Sequence, residues 1–221
     1  MKPMRRDAVD SAVLRRRIRL VVLIHTAERA GLAPLPIMHL HMFAYLSNAL
    51  APVWEMPVMD GKLLKRRGGP FYPVLQEDLD SLVGMGVATI SNLGHVQDEQ
   101  NRWRLEGSYR LNQEFADRIL LQMAQFEEER RLFAFLQELA YALSSLSDDD
   151  FGHATTQDAT YSDPVIDFGN VVDFAEWQVK NYTANAADQF ERRLPGGARA
   201  NSGEKLHLYL RHLQSRIHGR Q

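Results

Sequence analysis

Two clusters of basic residues are the groups in this chain best suited to hold phosphate: Arg15, Arg16, Arg17 and Arg19 in one, Lys62, Lys65, Arg66 and Arg67 in the other. Guanidinium and ammonium groups neutralise the backbone charge of nucleic acid, so these eight are the candidate nucleic-acid contacts. Each cluster also reads as an ordinary solvated face. A third cluster has the opposite sign. Glu77, Asp78 and Asp80 would repel phosphate and attract the basic surface of another protein, which makes them the candidate partner contacts. Other charged groups are less well placed for chemistry. Asp148, Asp149 and Asp150 lack the alternating ligands and closing glutamate of a calcium loop. Asp163, Asp167, Glu176 and Lys180 suggest a metal-dependent nuclease, yet Glu176 and Lys180 have the i, i+4 spacing of a helix-stabilising pair. His39 and His41 are two apart, whereas metal-binding histidines on a helix are three or four apart, so both are expected in a core.

The motifs of common enzymes are missing. There is no G-x-S-x-G, no zinc-ligand helix and no dinucleotide fingerprint, and the glycines after Arg67 lead into no Lys-Ser or Lys-Thr at a helix start. No enzyme activity, cofactor or metal is therefore expected. The chain has 221 residues, 45% of them hydrophobic, enough for one ordinary domain or two small ones. Its net charge of −2 excludes the global basic field of a dedicated nucleic-acid binder. Cysteine is absent, which removes disulfides and thiolate chemistry and fits a cytoplasmic protein. The apolar run Leu20–Ile24 is far too short for an export signal or a membrane span.

The elements that must position these residues follow from periodicity. A helix from Asp10 or Ser11 to about Ala30 carries the first basic cluster, and Gly31 stops it. Pro36 opens a second helix, Ile37–Leu50, apolar nearly all round and so expected to be buried. The second basic cluster falls in an insertion read as a loop. Leu75, Leu79, Leu82 and Val83 share one face of a third helix, leaving Gln76, Glu77, Asp78, Asp80 and Ser81 outward. Gly84 and Gly86 end it. Val87–Asn92 and the alternating segment Trp103, Leu105, Tyr109, Leu111 then read as a hairpin with its tip at Gly94–Asn101. That order defines the expected class: mainly α, a winged-helix domain over residues 10–112 with a β-hairpin wing, then a helical region over 113–221. Within the helical region, a single long helix from Asn112 to about Ser147, a polar loop to Asn170, and helices near Val171–Leu194 and Glu204–His218 are expected.

The sequence Gly69-Pro70-Phe71-Tyr72, then Asp78-Leu79, Leu82, Gly86-Val87 and the returning Tyr109–Leu111, resembles small winged-helix accessory proteins of bacteria. It is similar to the middle subunit of Lamassu-like ABC/SMC-type antiphage defence systems, and more loosely to Panacea-type antitoxins. The resemblance implies a non-enzymatic accessory subunit that docks on an SMC-like or ABC-type ATPase, with DNA contacted through the complex. The alternative it leaves open is a DNA-binding winged-helix transcriptional regulator or antitoxin.

Overall fold

Gly31 closes the first helix with a φ of 78°, a conformation glycine adopts without steric penalty. That helix, α1, spans Met4–Arg29 and so begins earlier than the capping residues suggest. The structure, a computed structural model, describes residues 4–58, 62–97, 101, 103–174, 181–192, 194 and 199–219. After α1 come a two-residue strand β1 (Leu35–Pro36), helix α2 (Ile37–Leu50) and a 3-10 turn (Ala51–Trp54). All of α2 except Met38 and His39 is buried, as its all-round apolar sequence requires.

The insertion is not a loop. It forms strands β2 (Lys62–Arg66) and β3 (Gly69–Phe71), and these are followed by α3 (Pro73–Gly84). Strands β4 (Ala88–Gln97) and β5 (Trp103–Leu111) make the expected hairpin, longer than predicted and with residues 98–100 and 102 outside the described set. The strand order in this sheet is β1-β5-β4, with Leu35 opposite Tyr109 and Ala88 opposite Leu111. Gly107 lets the strands approach closely here: a Cβ would lie 2.6 Å from the side chain of Ile90, which would have to move to admit it.

The long helix expected after the hairpin is two helices, α4 (Gln113–Met123) and α5 (Glu127–Leu143). Phe126 is extended, with φ −100° and ψ 132°, and breaks the rod. The acidic block Glu127–Glu129 is the first turn of α5, where negative charge meets the positive end of the helix dipole. The polar stretch read as a loop opens with helix α6 (Asp148–Gln157), capped by Ser147, which accepts from the Asp150 N–H. A short strand β6 (Val171–Asp173) pairs with the far side of β2. Helices α7 (Tyr182–Glu191) and α8 (Ser202–His218) complete the chain, the latter with a capping box between Asn201 and Glu204. One buried cluster runs from Leu20 through Phe43, Leu79 and Phe135 to Leu213, so packing crosses residue 112 without a break.

At the centre of that packing sits Asp158, fully buried. Its carboxyl oxygens accept from the hydroxyls of Tyr45, Tyr209 (2.6 Å) and Thr183 (2.8 and 2.9 Å), and from the backbone N–H groups of Thr160 (3.0 Å) and Tyr161 (2.9 Å). Because Thr183 donates to Asp158, the 2.6 Å contact between the Thr160 and Thr183 hydroxyls has Thr160 as donor. Burial, and then the charge of Asp158, raise both phenols far above their ordinary range, so they remain donors at any pH the fold survives. Asp158→Ala is expected to lower unfolding free energy by about 3–5 kcal/mol in urea titrations, because it strands three buried hydroxyls and two N–H groups. Tyr45→Phe, which removes one donor of five, should cost about 1–2 kcal/mol in the same titration.

His41 supplies a pH dependence. It is buried beside Phe71, its Nδ1 accepts from the Tyr72 N–H at 3.3 Å, and burial pulls its pKa down to about 4. A folded pKa below the unfolded one means the unfolded chain binds the proton first as pH falls. Stability should therefore drop by roughly 3 kcal/mol from this residue between pH about 6.5 and 4. The slope should flatten in His41→Leu, leaving the smaller same-sign contributions of His25 and His39, whose pKa values burial also lowers.

Candidate functional site

The first basic cluster and the acidic cluster meet each other. On α3, Asp78 falls three residues after Leu75 and four before Leu82, which puts it on the buried face with them and not outward as expected. There it accepts from Arg16 Nε (2.8 Å) and Arg17 Nε (3.1 Å) of α1. Two candidate nucleic-acid contacts and one candidate partner contact thus form an internal bridge between α1 and α3. The leucine spacing is the signal that places Asp78 inward. Glu77 and Asp80 remain exposed, and Asp80 takes a hydrogen bond from Gln76 at 2.9 Å. Arg19, one turn further along α1, is buried and donates to Pro57 O (3.4 Å) and Ser47 Oγ (3.2 Å). Burial lowers its pKa to about 10.

The second basic cluster lies on β2 and the turn after it. Lys65 is buried: its Nζ donates to the carbonyls of Asp163 (2.8 Å) and Ile166 (2.7 Å), and its backbone pairs with Gly169 and Asn170. It fastens the segment before β6 and is closed to solvent, which corrects its expected place on a surface loop. Arg66 stacks on Phe71, guanidinium carbon to ring centroid 3.8 Å, while its backbone exchanges hydrogen bonds with the Tyr161 hydroxyl. Of the eight candidate nucleic-acid contacts, Arg15, Lys62 and Arg67 are exposed, Arg16, Arg17 and Arg66 half-buried, and Arg19 and Lys65 buried.

The aspartates Asp148, Asp149 and Asp150 form the first turn of α6, and Asp150 is held by Gln214 and His218 of α8. Glu176 and Lys180, like Trp177 and Val179, lie outside the described residues. Among the described residues no group of three or more His, Asp or Glu is placed to hold a metal ion, and no helix is long and apolar enough to cross a membrane.

Two features escape a reading of the sequence. The first is α4, an amphipathic helix in which only Ala116 is buried. Phe115 is 45%, Leu121 67% and Phe126, just beyond its end, 60% exposed. Leu93, Val96 and Trp103 of the hairpin are exposed as well. The apolar repeat of this helix is visible in the sequence, but as one rod with α5 it has no free end. The second is a cleft of about 450 Å3 between α1, the segment following the 3-10 turn and the start of α5, lined by Arg15, Arg19, Met56, Glu128, Glu129 and Leu132 among others. Compared with known proteins, the chain matches no family model, and no curated protein matches it in sequence.

Asp78→Ala is expected to cost about 1–3 kcal/mol in chemical unfolding, below the full penalty for a broken buried pair because Arg16 and Arg17 keep some water. Glu77→Lys and Asp80→Lys should each stay within about 0.5 kcal/mol of the parent in the same assay.

Proposed function

We propose that this chain is a non-enzymatic accessory subunit that docks on an SMC-like or ABC-type ATPase in a cytoplasmic, DNA-associated antiphage complex of the Lamassu-like kind, and that its first half is a winged helix. The observation that carries the reading is α4: an eleven-residue helix with a single buried residue leaves Phe115, Leu121 and the following Phe126 facing water. Ile119 and Leu120 hold the inner side of this helix to the core, and large apolar side chains left exposed around the rest of it suit a surface that another protein covers. The element order α1-β1-α2-β2-β3-α3-β4-β5, in which β2 and β3 are an insertion and β5 lies between β1 and β4, supports the winged-helix reading.

Charge placement supports a protein partner over direct base reading. In a DNA-reading winged helix the element corresponding to α3 presents donors to the major groove. Here α3 turns Asp78 toward α1 and leaves Glu77 and Asp80 outward. A regulator that gripped DNA by itself would draw on the two basic clusters, whose members Arg16, Arg17, Arg19 and Lys65 are engaged within the fold. DNA contact then belongs to the complex, with exposed Arg15, Lys62 and Arg67 as this subunit's share.

Affinity purification of the tagged protein from its native host, with nuclease treatment, tests the reading. A large ATPase should co-purify after nuclease digestion. The double substitution Leu121→Glu with Phe126→Ser should weaken that association about 100-fold, the loss of a central apolar anchor, without altering the unfolding midpoint appreciably. Recovery of DNA alone, in a salt-sensitive complex with no protein partner, would replace this reading with that of a regulator or antitoxin.

A further inference from the structure

The cleft between α1 and α5 carries charges of both signs that the fold leaves incompletely matched. Arg19, only 6% exposed, has no acceptor for its Nε–H among the described residues, and its two other hydrogen bonds, 3.4 and 3.2 Å, are at the long end of the range. Among the described residues it makes no ion pair, although a buried guanidinium is ordinarily held by a carboxylate. Across the cleft, Glu128 and half-buried Glu129 sit together in the first turn of α5. Burial, and then the charge of Glu128, raise the pKa of Glu129, and the pull of Arg19 offsets this only in part. Arg19 and Glu129 feel each other without joining. Of the remaining charges, Arg16 is taken by Asp78, exposed Arg15 extends the basic side, and exposed Glu55 and Arg131 add one charge of each sign. Met56, Pro57, Val58 and Leu132 make up most of the apolar lining.

We propose that this cleft binds a compact zwitterion of the α-amino-acid class with an apolar side chain. The carboxylate meets Arg19 and Arg15 on the α1 side. The ammonium meets Glu128 and Glu129 on the α5 side, and the side chain packs against Met56, Val58 and Leu132. A volume of about 450 Å3 lies within the size of cleft that takes small molecules, and arginines on α1 with a glutamate pair on α5, Arg131 beside it, suit a ligand carrying both signs. A simple anion would meet the two glutamates, and a simple cation would meet the arginines. A ligand of both signs completes each.

The test is titration of the full-length protein, followed by the 15N–1H resonance of Arg19 Nε and by thermal unfolding, with three probes of one carbon skeleton. L-leucine carries both charges, 4-methylpentanoate the carboxylate alone and 3-methylbutylamine the ammonium alone. L-leucine should shift the Arg19 resonance saturably and raise the unfolding midpoint, and each single-charge analogue should bind about tenfold or more weakly, the worth of one charge-assisted hydrogen bond. Arg19→Met should abolish the response; if that variant does not fold, Arg15→Gln and Glu128→Gln, both at exposed positions, should each weaken L-leucine about threefold or more. Absence of saturation by L-leucine up to about 10 mM, equal or tighter binding of either analogue, or unchanged affinity in both exposed-site variants would overturn the proposal.

Discussion

The arrangement of helices depends on one buried carboxyl group. Asp158 draws a hydroxyl from α2, one from α7 and one from α8, and takes two N–H groups from the turn that follows α6. A carboxyl group in an apolar interior is tolerated only when its lone pairs are filled, and here the donors that fill them come from elements far apart in sequence. The same turn carries Tyr161, whose hydroxyl reaches the Arg66 backbone, so the constraint extends to β2 and its small sheet. Asn181 carries it outward, its side-chain oxygen accepting from the Ala184 N–H and its amide donating to the Ala49 carbonyl at 2.7 Å. The helical second half is thereby fastened to α2, the most completely buried element of the first.

Electrostatics within the fold take up groups that a sequence would offer to partners. Arg16 and Arg17 close on Asp78, Arg19 is enclosed near Pro57, and Lys65 donates to two carbonyls of the segment before β6. The net charge of −2 conceals this internal matching. Of the charged candidates, Glu77 and Asp80 on α3 and the basic residues Arg15, Lys62 and Arg67 remain outside.

Much of the first half was legible in the sequence. Pro36 and the dense apolar run fix α2 at Ile37–Leu50, and the alternation through Tyr109 and Leu111 marks β5, because both patterns report local geometry and burial together. The centre of the fold was not legible. Asp158 stands in a polar stretch, and its hydroxyl donors lie 113, 51 and 25 residues away, beyond any local pattern. The break between α4 and α5 escaped because no glycine or proline marks it; Phe126 simply leaves helical geometry where three glutamates gain from starting a new helix. Asp78 was readable in principle from the 75, 78, 82 spacing, but a carboxylate takes an inward position only with cations to meet it, and those come from Arg16 and Arg17 on a distant helix. The cleft could not be read at all, since it joins three separated segments.

We propose that a partner covers the exposed side of α4, where Phe115, Leu121 and the following Phe126 face water. Hydrogen–deuterium exchange on the protein alone and within the complex recovered from its host tests it most directly. Amides across Gln113–Phe126 are expected to become protected in the complex, while those of the α1–α3 junction, already held by Asp78, change little. Protection confined to α3 or to β2, with α4 exchanging as in the free protein, would contradict it.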